Sequence, residues 1–256
     1  MTLRLFLQLI TGKAPYSLWN TLRINYKVFP RSVARKLPIK AGHHLDAKGL
    51  CRGCIVLPAD TPVHKYMLRL GVSPWPMYSN KSMYTWLWFH KGARLVVGDE
   101  VDINAGCRIV ITANATAKLG NHFFVNQNSL IYCSRSISFG NYCTLGWDCQ
   151  VYDSDFHICK ERETGKTRSP FAPVQIGDNV WVANRSTISK GSVIPSNSII
   201  ASNSLVNDDL SLHHPEGGLF AGIPATYKKN ELTYVTDKKE EARLRKRFMK
   251  TGELIF

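Results

Sequence analysis

Three side chains within five residues, Asp153, Asp155 and His157, stand at the head of the segment VYDSDFHICKERETGKTRSPFAPV as the pattern DxDxH. In an extended chain alternate side chains share one side, which would set both carboxylates and the imidazole together. A carboxylate beside an imidazole fixes its tautomer and raises its basicity, the usual preparation of a general base. Two other readings fit the same residues. A polar surface loop could carry the pattern by chance. A metal site needs more ligands than one His and two carboxylates.

The segment interrupts a repeat that must position it. From Ile176 an aliphatic residue returns every sixth position, at Val182, Ile188, Ile194, Ile200 and Val206. Four residues after each of the first five comes Val180, Ser186, Ser192, Ser198 or Ser204, nearly always small. A helix returns its apolar face every three or four residues, so no helix explains the period. Six residues fit a short strand, a tight corner and another strand, three such sides closing one coil. A single coil cannot bury its own core, but a stack can. The same spacing is present earlier at Val97, Ile103 and Ile109, at Leu119, Val125 and Ile131, and at Phe139, Leu145 and Val151. An apolar residue followed by Gly recurs at Gly98, Gly120, Gly140 and Gly177, with Asp or Asn next. Corners with positive φ are the expected reason for Gly and Asn there. These marks lie about one coil apart except between Gly140 and Gly177, where residues 153–173 intervene. The fold class is an all-β solenoid. An insertion without its own secondary structure sits on one face of such a stack and tends to carry function.

Composition agrees. In 256 residues, 44% hydrophobic and 11% aromatic content suffices for a core and argues against disorder. The balance of 33 Lys plus Arg against 19 Asp plus Glu leaves a net charge of +14, which implies an anionic partner: nucleic acid, a membrane surface or a phosphate-bearing cofactor. No nucleic-acid fold motif is present, which makes DNA or RNA the poorest of the three. Of seven cysteines, Cys107, Cys143 and Cys149 fall on the small position of a hexad and read as packing residues. Cys51 and Cys54 form a lone CxxC with no second pair or nearby His to complete a zinc site. An odd cysteine total without a signal peptide favours a reducing compartment, hence a cytoplasmic location.

The ends read as appendages. The opening MTLRLFLQLI is too short to span a membrane. Residues 16–29 can be drawn as an amphipathic helix, with Leu18, Trp19, Leu22, Ile24 and Val28 against Arg23 and Lys27, and Arg31, Arg35, Lys36 and Lys40 follow. This arm either touches anionic lipid at the inner face of the membrane or caps the open end of the stack, the favoured reading. Residues 51–92 are broken by Pro58, Pro62, Pro74 and Pro76 and hold irregular first coils. Within them YTWLWFH alternates like a half-buried strand, with Trp86, Trp88 and Phe89 as core or inter-subunit packing. DKKEEARLRKRFMK reads as a charged helix with Glu240 and Glu241 preceding Arg245 at helical spacing. The division is an arm over 1–50, a coil over 51–230 with an active-site loop at 153–173, and a helical tail over 231–256.

The repeats together with DSDFH, VQIGDNVW and FAGIPATYKK resemble the hexapeptide-repeat acyltransferases over about residues 95–230. Within them the resemblance is to the sugar O-acetyltransferases related to maltose and galactoside acetyltransferases and to capsule or lipopolysaccharide O-acetyltransferases. It implies a left-handed parallel β-helix, a homotrimer with active sites between subunits, acetyl-CoA as donor, and a sugar or glycan hydroxyl as acceptor. No metal is implied. His157 matches the family's catalytic histidine, which takes the acceptor's proton and returns it to the departing thiolate without an acyl-enzyme. Asp155, then Asp153, are the candidates for orienting it. Asn126 matches a residue at the acceptor hydroxyl, although its type also suits a polar corner. Trp181 matches a cleft residue, Asn184, Ser202 and Asn207 the pantetheine groove, and Lys229 a contact to CoA phosphates, with Lys228 as substitute. Ala183, Asp208 and Thr226 depart from the pattern, and the last two weaken the phosphate contacts. His213 and His214 read as solvated loop residues. The alternatives are another acceptor (an amino sugar, serine or an antibiotic), a zinc carbonic anhydrase on the same coil, for which the eight histidines offer no convincing set of three, and a non-catalytic scaffold.

Overall fold

The computed structural model describes residues 16–72, 83–230 and 232–251. The opening decapeptide, Pro74 and Pro76 lie outside them. Short strands wind through three sheets of nine, seven and six strands, and up to strand Leu205–Val206 each pairs in parallel with the third one before or after it. The last strand, Ala225–Lys229, instead turns back antiparallel on Gly218–Gly222. The hexad aliphatics form the shared core: Ile176, Val182, Ile188, Ile194, Ile200 and Val206 are all buried. Each such side chain contributes about 1.5–3 kcal/mol by leaving water.

The first strands are Ile39–Ala41 and Leu45–Lys48, so coiling begins inside the stretch expected as an arm. The aromatic strand Thr85–Phe89 alternates as expected, with Thr85, Leu87 and Phe89 inward. Trp86 and Trp88 stack on the outer face, ring centroids 4.6 Å apart, with the Lys48 ammonium 4.3 Å from the centroid of the Trp88 ring.

Helix α1 (Leu18–Val28) starts where the Ser17 hydroxyl accepts from Asn20 N and stops at Phe29, held extended before Pro30. Thr21, Ile24, Asn25 and Val28 lie on its buried side. Two of them do what a missing strand would do. Asn25 brackets Ile39, accepting from its N–H at 3.0 Å and donating to its carbonyl at 2.7 Å. The Thr21 hydroxyl accepts from Ala41 N, and Ser17 N donates to Ala41 O. The edge of the nine-stranded sheet is thereby satisfied by a helix, as an exposed edge requires. A short turn of helix, α2 (Arg31–Ala34), follows. At the other end α3 (Lys238–Thr251) carries the Glu241–Arg245 pair.

The recurring glycines have a different cause from the one expected. Gly98, Gly120, Gly140 and Gly177 are not in the left-handed region. Positive φ falls two residues later, at Glu100, His122, Tyr142 and Asn179. The glycines are there because coils approach closely: a Cβ on Gly120 would lie 2.2 Å from the Gly140 carbonyl oxygen. The polar residue after each glycine builds a ladder along this corner. Asp99 N donates to the Asn121 side chain, Asn121 N to Asn141, Asn141 N to Asp178, and Asp178 N to Ser196.

Candidate active site

Residues 153–173 leave the stack between strand Gln150–Tyr152 of the seven-stranded sheet and strand Val174–Ile176 of the six-stranded one. The ladder is undisturbed across the insertion, with Thr144 paired to Trp181 and Leu145 to Val182. The insertion is not structureless. Antiparallel bridges join Ser154 to Phe171 and Lys160 to Thr167, and Asp155 N donates to Pro170 O. Near the tip Glu161 N donates to Lys166 O, and Arg168 pairs with Glu161. It is a hairpin arm.

The DxDxH residues divide their tasks rather than sharing one side. Asp153 is fully buried, and its carboxylate accepts from the backbone N–H of Ser134, Arg135 and Ser136 at 2.6–2.7 Å. It closes the corner of the coil beneath, which corrects its candidacy for orienting His157. Asp155 pairs with Lys190, whose ammonium also donates to Ser169 O at 3.0 Å. Lys190 thus clips the root of the hairpin from the next coil. Phe156 has φ of 63°, which ends the alternation expected between Asp155 and His157. Its ring packs on Tyr132 and Tyr152 at 5.0 and 5.6 Å. His157 follows directly and is exposed. The arrangement presents an imidazole to solvent from an arm anchored by one buried carboxylate, one ion pair and one aromatic contact. Such a group can accept and return a proton for a bound reactant.

Sequence reasoning missed Lys190 and Phe156. The hexads contained a signal for the first: Val151 pairs with Ile188, which places Lys190 one coil above Asp153.

The other candidates lie elsewhere on the coil. Asn184 and Ser202 meet, the Ser202 hydroxyl donating to Asn184 Oδ1 at 2.8 Å, at the corner between the nine- and seven-stranded sheets. Asn126 lies lower in that corner column and accepts from Gln127 N and from Asn104 Nδ2, the contacts of a polar corner residue. Asn207 is exposed beyond strand Leu205–Val206, in the corner column of the hairpin two coils higher. Trp181 stands outward on the nine-stranded sheet, 38% exposed, beside Tyr234. Tyr234 in turn hydrogen-bonds Thr144, laying the C-terminal segment over a cleft of about 860 Å³ that also touches Glu100, His122 and Tyr142. Lys229 is exposed at the end of the terminal hairpin strand, while Lys228 bonds Thr226.

The buried thiols are poor nucleophiles. Burial, then the neighbouring Asp153 charge, pushes Cys133 up to about 12. Burial alone dominates at Cys107 and Cys143, also about 12, and at Cys149, about 11. Cys54 is buried and accepts from Cys51 N at 3.4 Å, so the CxxC closes a local turn. Among the described residues no three His, Cys, Asp or Glu gather as a metal site. Among them, too, no helix is long and apolar enough to cross a membrane.

No protein-family model and no curated protein matches this chain. Solved structures do. The polySia-specific acetyltransferase NeuO is similar over 83% of this chain and 82% of its own, at 17% identity and a TM-score of 0.52. A hexapeptide-repeat-containing acetyltransferase from Vibrio cholerae O1 biovar eltor, complexed with acetyl coenzyme A, matches 58% of this chain and 69% of its own at 22% identity and a TM-score of 0.36. A maltose O-acetyltransferase from Clostridium difficile 630 matches 58% and 68% respectively, at 20% identity and a TM-score of 0.36. The likeness to NeuO shows the fold, a left-handed parallel β-helix.

Proposed function

We propose that this chain transfers an acetyl group from acetyl-CoA to a sugar hydroxyl in surface-polysaccharide synthesis, with His157 as general base. The observation that carries the reading is the exposed His157 on an anchored hairpin, in a fold shared with the polySia-specific acetyltransferase NeuO. His157 takes the proton of the acceptor hydroxyl as its oxygen attacks the thioester carbonyl. The tetrahedral adduct then collapses, the carbon–sulfur bond breaks, and the proton passes from the imidazolium to the CoA thiolate. General-base help of this kind supplies about 10²–10⁴-fold, and positioning of both substrates adds to it. Asp155 is a positioning residue that acts through Lys190, by holding the root of the arm.

The reading includes a homotrimer with sites between subunits. His157 rises from the corner of the seven- and six-stranded sheets, while Trp181 stands on the nine-stranded sheet across the coil from that corner. One chain keeps them on opposite sides, so in the trimer the Trp181 face that meets a hairpin is a neighbour's, with the Tyr234 segment beside it. Asn184 and Ser202 then line the pantetheine path, with Asn126 nearer the acceptor and Asn207 beyond the hairpin corner. Lys228 and Lys229 supply positive charge for the phosphates, with Asp208 opposing.

The test is release of CoA from acetyl-CoA across a panel of sugars and oligosaccharides, with product mass read in parallel. Release that requires an acceptor, together with a product gaining one acetyl group, is expected. Absence of both acceptor-dependent release and calorimetric binding of acetyl-CoA would overturn the proposal.

A further inference from the structure

Among the described residues, the outer half of α1 takes no part in closing the coil. Its buried side, Thr21, Ile24, Asn25 and Val28, closes the first strand. Its other side is sharply divided. At 100° per residue, Leu18, Leu22, Tyr26 and Trp19 fall in one arc, and Arg23 and Lys27 follow in the next. These four apolar side chains are 38–74% exposed, Trp19 the most. Arg31, Arg35 and Lys36 are exposed just beyond. No Asp or Glu occurs before Asp46, whereas eight Lys or Arg do. An apolar ledge carrying Trp and Tyr beside a cationic rim, at the terminal face of a rod, matches the headgroup region of an anionic bilayer.

We infer that the outward face of α1, with the cations of residues 23–36, is a docking surface for anionic phospholipid. Leu18, Trp19, Leu22 and Tyr26 enter the interface, while Arg23, Lys27, Arg31, Arg35 and Lys36 meet lipid phosphates. A second copy of this chain fits the face poorly. An isologous contact would set the same cations against one another, with no Asp or Glu before Asp46 in the sequence to answer them. Docking here stands the coil end-on to the membrane, with the hairpin arm several coils away. The inference does not depend on the acetyltransferase reading.

The test is flotation of the full chain with vesicles of phosphatidylcholine alone and of phosphatidylcholine mixed with phosphatidylglycerol, at low and high salt. Two double variants accompany it: Trp19→Ser with Leu22→Ser, and Arg23→Glu with Lys27→Glu. Wild type is expected to float with the mixed vesicles only, less so as salt rises, and each double variant to bind about tenfold more weakly. Thermal unfolding should be unchanged in both, because these side chains point away from the coil. Failure to float with anionic vesicles would overturn the inference, as would equal flotation of the variants. A fall in oligomer mass in the variants would assign the face to a second copy instead.

Discussion

Two corners of the same coil solve one problem differently. Between the six- and nine-stranded sheets, Asp99, Asn121, Asn141 and Asp178 form a column in which each backbone N–H donates to a side chain of the next coil. Between the seven- and six-stranded sheets, Asp153 takes three N–H groups at once, and the chain then departs for the hairpin arm. Both arrangements give corner N–H groups a side-chain acceptor, the first set at the exposed surface and the second partly buried. The first repeats and consumes its polar side chains in doing so. The second concentrates the repair in one carboxylate and leaves the following residues available for chemistry. In a repeat protein, a candidate site is therefore best sought where the chain leaves an unbroken ladder and one side chain takes over the pairing of the corner.

That contrast can be broken by mutation. Asp153→Ala removes the buried carboxylate that serves three partly buried donors, whereas Asn141→Ala frees one exposed donor that water can take over. At about 1–3 kcal/mol per unsatisfied buried group, the first should cost about 3 kcal/mol or more and the second, exposed to water, less than about 1 kcal/mol, read by denaturant unfolding. Equal losses would show that the two corners are mended alike. Lys190→Met sharpens the comparison from the other side. Its ion pair is partly exposed, so global stability should change by less than about 1 kcal/mol. Limited proteolysis within residues 153–173 should nevertheless become faster, because the clip at Asp155 and Ser169 is gone. Unchanged cleavage would mean that the bridges alone hold the arm.

Much of this was legible in the residues. The hexads from Val97 onward identify the coil, because a period of six admits no helix and each aliphatic position proves buried. Cys107, Cys143 and Cys149 were readable as packing for the same reason. The capping role of α1 followed from the need to close an open stack, although the use of Asn25 and Thr21 as surrogate strand atoms did not. The first coils were obscure because Trp86 and Trp88 stack outward, which hides the inward alternation of Thr85, Leu87 and Phe89. The site was half legible. His157 was visible as a residue type in an insertion. The burial of Asp153 was not, since its partners sit one coil below, at Ser134 to Ser136. The link from Asp155 to Lys190 likewise crosses a coil: the hexad register brings Lys190 above Asp153, but it does not say which carboxylate Lys190 takes. Phe156 was hidden because a left-handed phenylalanine has no signature in sequence.

The central claim is that the hairpin corner, and His157 within it, is where chemistry happens while the rest of the coil supports it. The most direct measurement is acceptor-dependent turnover of acetyl-CoA by wild type and His157→Ala, with the melting temperature of each recorded. The account predicts a fall of at least about a hundredfold with an unchanged melting temperature, since His157 is exposed and outside the core. Turnover retained in a folded His157→Ala protein would contradict it.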